Sequence, residues 1–220
     1  MTIKEIITKD GSVTYHNETF DESYHSRSGA IEESFIKYVE PCNLARINKE
    51  SVSILDFCFG LGYNSIVALA ECMKNPKIKK IKLTGIELDP EIVSKIEKLK
   101  LDFEELDLIK ELVVNKEVKK KYKDKELELS LLINDAAAAV KVFDSDYFDV
   151  VLFDPFSPKK HPELWSEEVF KDLYSKMKKD GILTTYSCAR VVRDNLKSAK
   201  FNVFDGPKLH RRGPSTIAIK

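Results

Sequence analysis

Residues 51–73 read SVSILDFCFGLGYNSIVALAECM, and the order of events within them decides the fold. The run 51–59 is almost continuously apolar and rich in β-branched and aromatic side chains, the pattern of a strand covered on both faces. Gly60-Leu61-Gly62 then turns the chain, and 63–73 continues as a helix. Strand, glycine turn and helix together form the geometry of a nucleotide or cofactor pocket. Glycines let a ligand approach the backbone, and a helix amino end offers free N–H groups. Tight strand-to-helix turns also use glycine for steric reasons alone, so neighbouring segments have to carry the reading further.

They do so in order. Residues 78–86 predict a second strand ending in Glu87, the distance at which a Rossmann-like unit sets an acid against ribose hydroxyls. Asp89 and Pro90 open the next helix, which gives Glu87 a compatible second role near a helix start. The spacing predicts a helix over 91–112, and EVKKKYKDKE (117–126) reads as a solvated face and turn. A third strand, 127–133, leads into Asn134-Asp135 and the alanine-rich start AAAAV, where Asp135 can cap the helix or receive an adenine amino group. The stretch 149–165, DVVLFDPFSPKKHPELW, runs a buried strand into Asp154, and Pro155, Pro158 and Pro162 stiffen the loop after it. Next come a helix over 163–177 stopped by Lys179-Asp180-Gly181, a strand 182–186, a helix 189–199, and a closing antiparallel pair 201–204 and 215–219.

Ahead of this pattern, residues 1–24 form an amino-terminal extension whose alternation at 12–15 and 17–20 predicts a small hairpin, a candidate lid. Residues 25–220 form the main domain. Its first helix opens near Ser28 or Gly29, with Ile31, Phe35, Ile36 and Val39 as the apolar face. Glu32 and Glu33 fall in its first turn, where acids suit the helix dipole. The fold class is therefore α/β: a doubly wound, Rossmann-like sheet with a terminal antiparallel hairpin.

Composition narrows the function classes. The 36 Lys and Arg balance 36 Asp and Glu, so indiscriminate nucleic-acid binding is disfavoured. The carboxyl-terminal 35 residues are locally basic, with Arg190, Arg193, Lys197, Lys200, Lys208, Arg211, Arg212 and Lys220 against Asp194 and Asp205. Neither a membrane-length apolar run nor a signal-peptide centre is present, and a cytoplasmic location is expected. Cys42, Cys58, Cys72 and Cys188 lack metal-ligand spacing and read as reduced core thiols, with no metal expected.

The motifs YHSRSGAIEES, LDFCFGLGYNS, DPFSPKKHPELW, TTYSCARVVRDNLKSAKF and RRGPSTIA together resemble a class I S-adenosylmethionine-dependent methyltransferase, and more narrowly the methyltransferase domain of the MnmC family. The spacing of Asp154, Phe156, Pro158, Lys160, Pro162 and Trp165 is the specific part. Cys58 stands where such turns commonly have their first glycine, and His161 replaces the usual Asn. The resemblance implies a stand-alone form without the fused flavin oxidoreductase, acting on the 5-aminomethyl group of a tRNA wobble uridine. It implies S-adenosylmethionine held by Glu33, Asp56, Cys58, Gly60, Gly62, Asn64, Glu87, Asp135 and Asp154, with Asp154 also catalytic. Tyr24, Phe156, Lys160, Trp165, Tyr186, Arg190, Arg193, Arg211 and Arg212 are the expected tRNA contacts. Two other readings share the strand pattern: a spermidine-synthase-like aminopropyltransferase, and a non-catalytic binding module on the same scaffold.

Overall fold

The computed structural model describes residues 3–210 and 213–220. Two sheets organise it. The smaller is an antiparallel meander of three strands, β1 (Ile3–Ile7), β2 (Val13–Asn17) and β3 (Glu22–Ser23). The expected hairpin is thus displaced: 12–15 begins the central strand, its partner is Ile3–Ile7, and 17–20 is the turn. Asn17 makes that turn by accepting from the amides of Thr19 (2.9 Å) and Phe20 (3.1 Å).

A helical stretch follows, made of α1 (Ala30–Glu33), a π-helical segment Ser34–Val39 and a 3-10 turn Glu40–Cys42. It buries only part of the face expected from simple helical spacing, Val39 fully and Ile31 in part. The wide π turns accommodate extra chain, and the register moves by roughly 100° per inserted residue. Glu33, Ser34, Lys37, Tyr38 and Val39 point inward, while Phe35 is left exposed.

The remaining elements are β4 (Ser51–Phe57), α2 (Tyr63–Lys74), β5 (Lys80–Glu87), α3 (Pro90–Ser94), α4 (Glu105–Asn115), β6 (Glu117–Tyr122), β7 (Lys125–Ile133), α5 (Ala136–Val140), β8 (Phe148–Phe153), α6 (Glu167–Lys176), β9 (Met177–Thr185), α7 (Arg190–Ser198), β10 (Asn202–Asp205) and β11 (Thr216–Ile219). They build an eight-stranded sheet in the order β10-β11-β9-β8-β4-β5-β7-β6. The central pairs β9·β8, β8·β4, β4·β5 and β5·β7 are parallel, and the outer pairs are antiparallel. Residues of β4 alternate between two apolar layers: Val52 and Ile54 pack with α2 and α4, Leu55 and Phe57 with α5, α6 and α7. The strand order reverses between β4 and β8, and ligands of open α/β sheets bind beyond the carboxyl ends at such a point.

Four further expectations are corrected. The helix over 91–112 is broken, because Leu99, Leu101 and Phe103 alternate toward the core in extended chain between α3 and α4, and Lys110 Nζ holds the Leu99 carbonyl at 2.9 Å. The lysine-rich run is an edge strand, β6, antiparallel to β7. Lysines there blunt the unpaired edge of the sheet. Lys179-Asp180-Gly181 lies inside β9 at an irregularity, with Asp180 at φ 62°, while α6 is capped by Ser166 through the Val169 amide (3.4 Å). Cys188 is exposed and Cys58 half-buried, so only Cys42 and Cys72 are core thiols.

Phe59 fixes the glycine turn. A Cβ on Gly62 would lie 2.8 Å from its ring, and one on Gly85, in the neighbouring strand, 2.4 Å. Gly62 also has φ 72°, a left-handed conformation that disfavours a side chain. The small sheet docks at the same helix start: Tyr63 Oη donates to the Val13 carbonyl (2.7 Å) and accepts from its amide (3.1 Å). His25 stacks edge-on against Tyr63, and its Nδ1 faces Thr14 Oγ1 at 3.2 Å.

Gly85→Ala is expected to cost about 1–3 kcal/mol by overpacking Phe59, read from denaturant midpoints at unchanged m-value. His25 gives a pH prediction. Burial pushes its imidazole down to about 4 from 6.5. A neutral buried base contributes stability that is complete above pH 6.5 and is lost as pH falls toward 4, up to about 3 kcal/mol by linkage. The stability difference between wild type and His25→Phe should narrow across that window, and a pH-independent difference would show that the imidazole does not titrate there.

Candidate active site

The carboxyl ends of the parallel strands place Cys58, Glu87, Asp135 and Asp154 along one edge, since Phe57 is in register with both Ile86 and Phe153, and Glu87 with Ile133. These four side chains line one cavity of about 400 Å³. Its opposite wall comes from the amino-terminal segment: Asn17, Phe20, Tyr24, Arg27 and Glu33.

Asp154 is the most constrained group. Tyr38 Oη donates to its Oδ1 in a short hydrogen bond, and Asn64 Nδ2 donates to Oδ2 at 3.0 Å. Burial and the nearby Glu33 carboxylate hold the Asp154 carboxyl well above the usual range, against the opposing pull of those two donors. Glu33 is itself buried. Burial raises it, but Lys37, 2.5 Å away, and the Ser26 amide at 2.8 Å outweigh this and hold it ionised.

Glu87 closes the glycine turn. Its Oε2 accepts from the Gly60 amide (2.8 Å), and its Oε1 from those of Leu88 (2.8 Å) and Asp89 (2.9 Å). Asp89 caps α3 through the Glu91 amide (2.8 Å) and receives Tyr24 Oη at 3.3 Å. Asp135 caps α5 through the Ala138 amide (2.8 Å) while still facing the cavity. Cys58, where a glycine was expected, adopts the glycine-like φ of 67°. Burial and the acids around it push its thiol up, so it stays protonated beside them.

Aromatic rings form the other part of the lining. Phe20 stacks on Phe156 at 4.7 Å and on His161 at 5.1 Å, and Tyr24 tilts against Phe156 at 5.0 Å. Tyr186 lines the cavity and donates to the Pro155 carbonyl (3.1 Å).

Several expected site residues lie elsewhere. Asp56 is fully buried beneath the turn, accepts from Ser65 Oγ (2.6 Å), and burial pushes it up to about 8. Gly60, Gly62 and Asn64 do not line the cavity; the glycines shape the turn and Asn64 acts on Asp154. Trp165 is a core side chain packed against Phe153, and its Nε1 holds the Phe156 carbonyl at 2.8 Å. Lys160 is exposed and reaches Asp21 (3.2 Å), and Arg190 is exposed with Asp194 at 3.5 Å. Arg193 is occupied by Asp205 (2.6 Å), Thr216 Oγ1 (3.0 Å) and the Ser215 carbonyl (3.2 Å), so it ties α7 to the closing hairpin. Arg211 and Arg212 lie outside the described residues. Sequence reasoning missed Phe20, Tyr38 and Lys37; only a π-shifted helix register would have turned the last two inward. Among the described residues no group of His, Cys, Asp or Glu is placed to hold a metal ion, and no helix is long and apolar enough to cross a membrane.

Comparison with known proteins agrees with this geometry. The model of an S-adenosyl-L-methionine-dependent methyltransferase family matches residues 103–220. An uncharacterized protein of Methanocaldococcus jannaschii is 31% identical over 97% of this chain and 58% of its own length. The tRNA 5-methylaminomethyl-2-thiouridine biosynthesis bifunctional protein MnmC of Leptospira interrogans is 28% identical over 94% of this chain, which spans 34% of that protein. Among solved structures, MnmC2 of Aquifex aeolicus superposes with a TM-score of 0.79 at 30% identity, covering 99% of this chain and 70% of that one. Spermidine synthase of Thermotoga maritima shares the fold at TM-score 0.58 and 17% identity, covering 99% and 68%. The cavity fits the family's cofactor: it has the size of a small-molecule site, and its lining carries carboxyl groups, acceptors of the kind a ribose and cationic centres need. The chain belongs to the S-adenosyl-L-methionine-dependent methyltransferase family, with S-adenosyl-L-methionine as its cofactor.

Proposed function

We propose that the protein methylates the primary amine of a 5-aminomethyl group on a wobble uridine of tRNA, giving the 5-methylaminomethyl form. The observation that carries this reading is Asp154: a half-buried carboxyl with a protein donor on each oxygen, lining a cavity shared with Phe20, Tyr24, Phe156 and His161. The similarity to the MnmC methyltransferase half supports the same substrate.

When bound, the cofactor supplies an electrophilic methyl on a sulfonium. The protein's task is then to present a neutral amine in line with it at near-attack distance. An alkylamine in water is mostly an ammonium, which has no lone pair to attack with. A carboxylate raised above its ordinary range is a stronger base, the direction required for taking a proton from an ammonium. Tyr38 and Asn64 each occupy part of an Asp154 oxygen, so the remaining lone pairs face the amine. A cation seated beside Asp154 favours its ionised form, and the carboxylate then holds an amine N–H toward the cavity. The stacked rings receive a base taken out of its stack, as enzymes that work on a nucleobase substituent require. Glu87 and Asp89 face the ribose end, Asp135 and Ala136 the adenine end. Cys58, kept protonated, does not compete as a nucleophile for the methyl group.

Asp154→Asn should lower methyl transfer by about 10²- to 10⁴-fold while donor affinity stays close to wild type. Mass spectrometry of nucleosides from aminomethyl-bearing tRNA incubated with labelled donor reads this directly. Turnover within a few-fold of wild type across neutral pH would reduce Asp154 to a structural acid. Appearance of label in a polyamine and none in tRNA would move the protein to aminopropyl-type chemistry.

A further inference from the structure

The charges around the cavity are unequal in sign. Six carboxyl groups line it: Glu22, Glu33, Glu87, Asp89, Asp135 and Asp154. Among the described residues Arg27 is the single Lys or Arg on the lining, and no hydrogen bond or ion pair engages its guanidinium. Two of the lining carboxyl groups are engaged elsewhere: Glu33 by Lys37 and the Ser26 amide, Glu22 by the Ser157 amide at 2.8 Å. His25, which also lines the wall, is held neutral by burial.

S-adenosyl-L-methionine carries a sulfonium, an ammonium and a carboxylate. The acids suit the two cations, and Glu33 and Asp154 are close enough for each to feel the other's charge. The carboxylate would meet repulsion along most of this wall. A site that is acidic nearly throughout selects against it unless one cation is placed for it, and a guanidinium answers a carboxylate in bidentate geometry. Position agrees. Arg27 follows Ser26, whose amide is bonded to Glu33, the carboxylate whose charge acts on Asp154.

We propose that Arg27 binds the carboxylate of the methyl donor and thereby makes this cavity select S-adenosyl-L-methionine over its decarboxylated form. The assignment rests on the methyltransferase reading of the site. It also gives a physical reason why a fold shared with aminopropyltransferases, which use the decarboxylated donor, performs methyl transfer here: the two donors differ by the group Arg27 would hold.

The test is calorimetric binding of S-adenosyl-L-methionine, decarboxylated S-adenosylmethionine and 5′-methylthioadenosine to wild type, Arg27→Gln and Arg27→Lys. Loss of a charge-assisted bidentate contact should weaken S-adenosyl-L-methionine binding about ten- to a hundredfold in Arg27→Gln. Affinity for the two ligands without a carboxylate should stay within about twofold or rise, the expected behaviour when only the carboxylate contact is lost. Arg27→Lys should fall in between, because it keeps the charge and loses the fork. An equal loss for all three ligands in Arg27→Gln makes Arg27 a structural residue and overturns the proposal. So does unchanged donor affinity accompanied by weaker tRNA binding, which gives the guanidinium to a phosphate. A wild-type protein that binds none of the three overturns the site reading itself, and this assignment with it.

Discussion

A carboxyl group held from two sides at the end of a central strand imposes the main constraint on this molecule. Asp154 is half-buried at the cavity, and a carboxyl drawn partly out of water needs partners for its oxygens. The donors come from opposite sides: Asn64 from the first turn of α2, Tyr38 from the π-helical segment. Tyr38 reaches inward because that segment is underwound by π turns. The same shift places Lys37 against Glu33 and leaves Phe35 in solvent, an apolar side chain given up so that a polar face can be buried. Its carbonyl is used as well, accepting from Thr184 Oγ1 at 3.0 Å, so the segment is stitched to β9 beneath the cavity.

The strand-end acids were legible in the sequence because they depend on local rules. Buried strands of a parallel sheet read as apolar runs, an acid after each run falls on the ligand edge, and a proline or alanine run marks where the next segment begins. Glu87, Asp135 and Asp154 were found in this way, and they share the cavity. The role of the glycines was not legible from spacing. Gly62 and Gly85 make room for Phe59, a side chain between them in space and not in sequence. Most of the turn's N–H groups serve the protein: Glu87 takes the Gly60 amide, Ile86 that of Phe59, Phe59 that of Gly62. Side chains beyond the turn therefore line the cavity more than the turn itself does.

Basic residues show the opposite limit. Counting charges along the last 35 residues suggested one continuous basic surface, but counting cannot reveal partners. Arg193 is consumed by three contacts within the fold, and Lys160 leans on Asp21 of the amino-terminal sheet. Arg27, overlooked by the same count because it stands alone among neutral and acidic neighbours, faces the cavity with its guanidinium unengaged. Isolation in the sequence and availability in the structure go together here, since a clustered charge in a neutral protein tends to find a counter-ion.

The amino-terminal extension is part of the site's construction. Phe20 completes the aromatic stack, Glu22 holds the Ser157 amide, Tyr24 leans on Asp89, and Tyr63 at the start of α2 grips β2 at Val13. These contacts reach the loops after β5 and β8 and the helix after β4, so one small sheet bears on three of the strand ends that define the cavity. A local opening of that sheet would release one wall of the cavity and leave the strand-end acids in place. The strand-end acids are thus carried by the parallel core, while one wall of the cavity rests on a separate and smaller set of contacts.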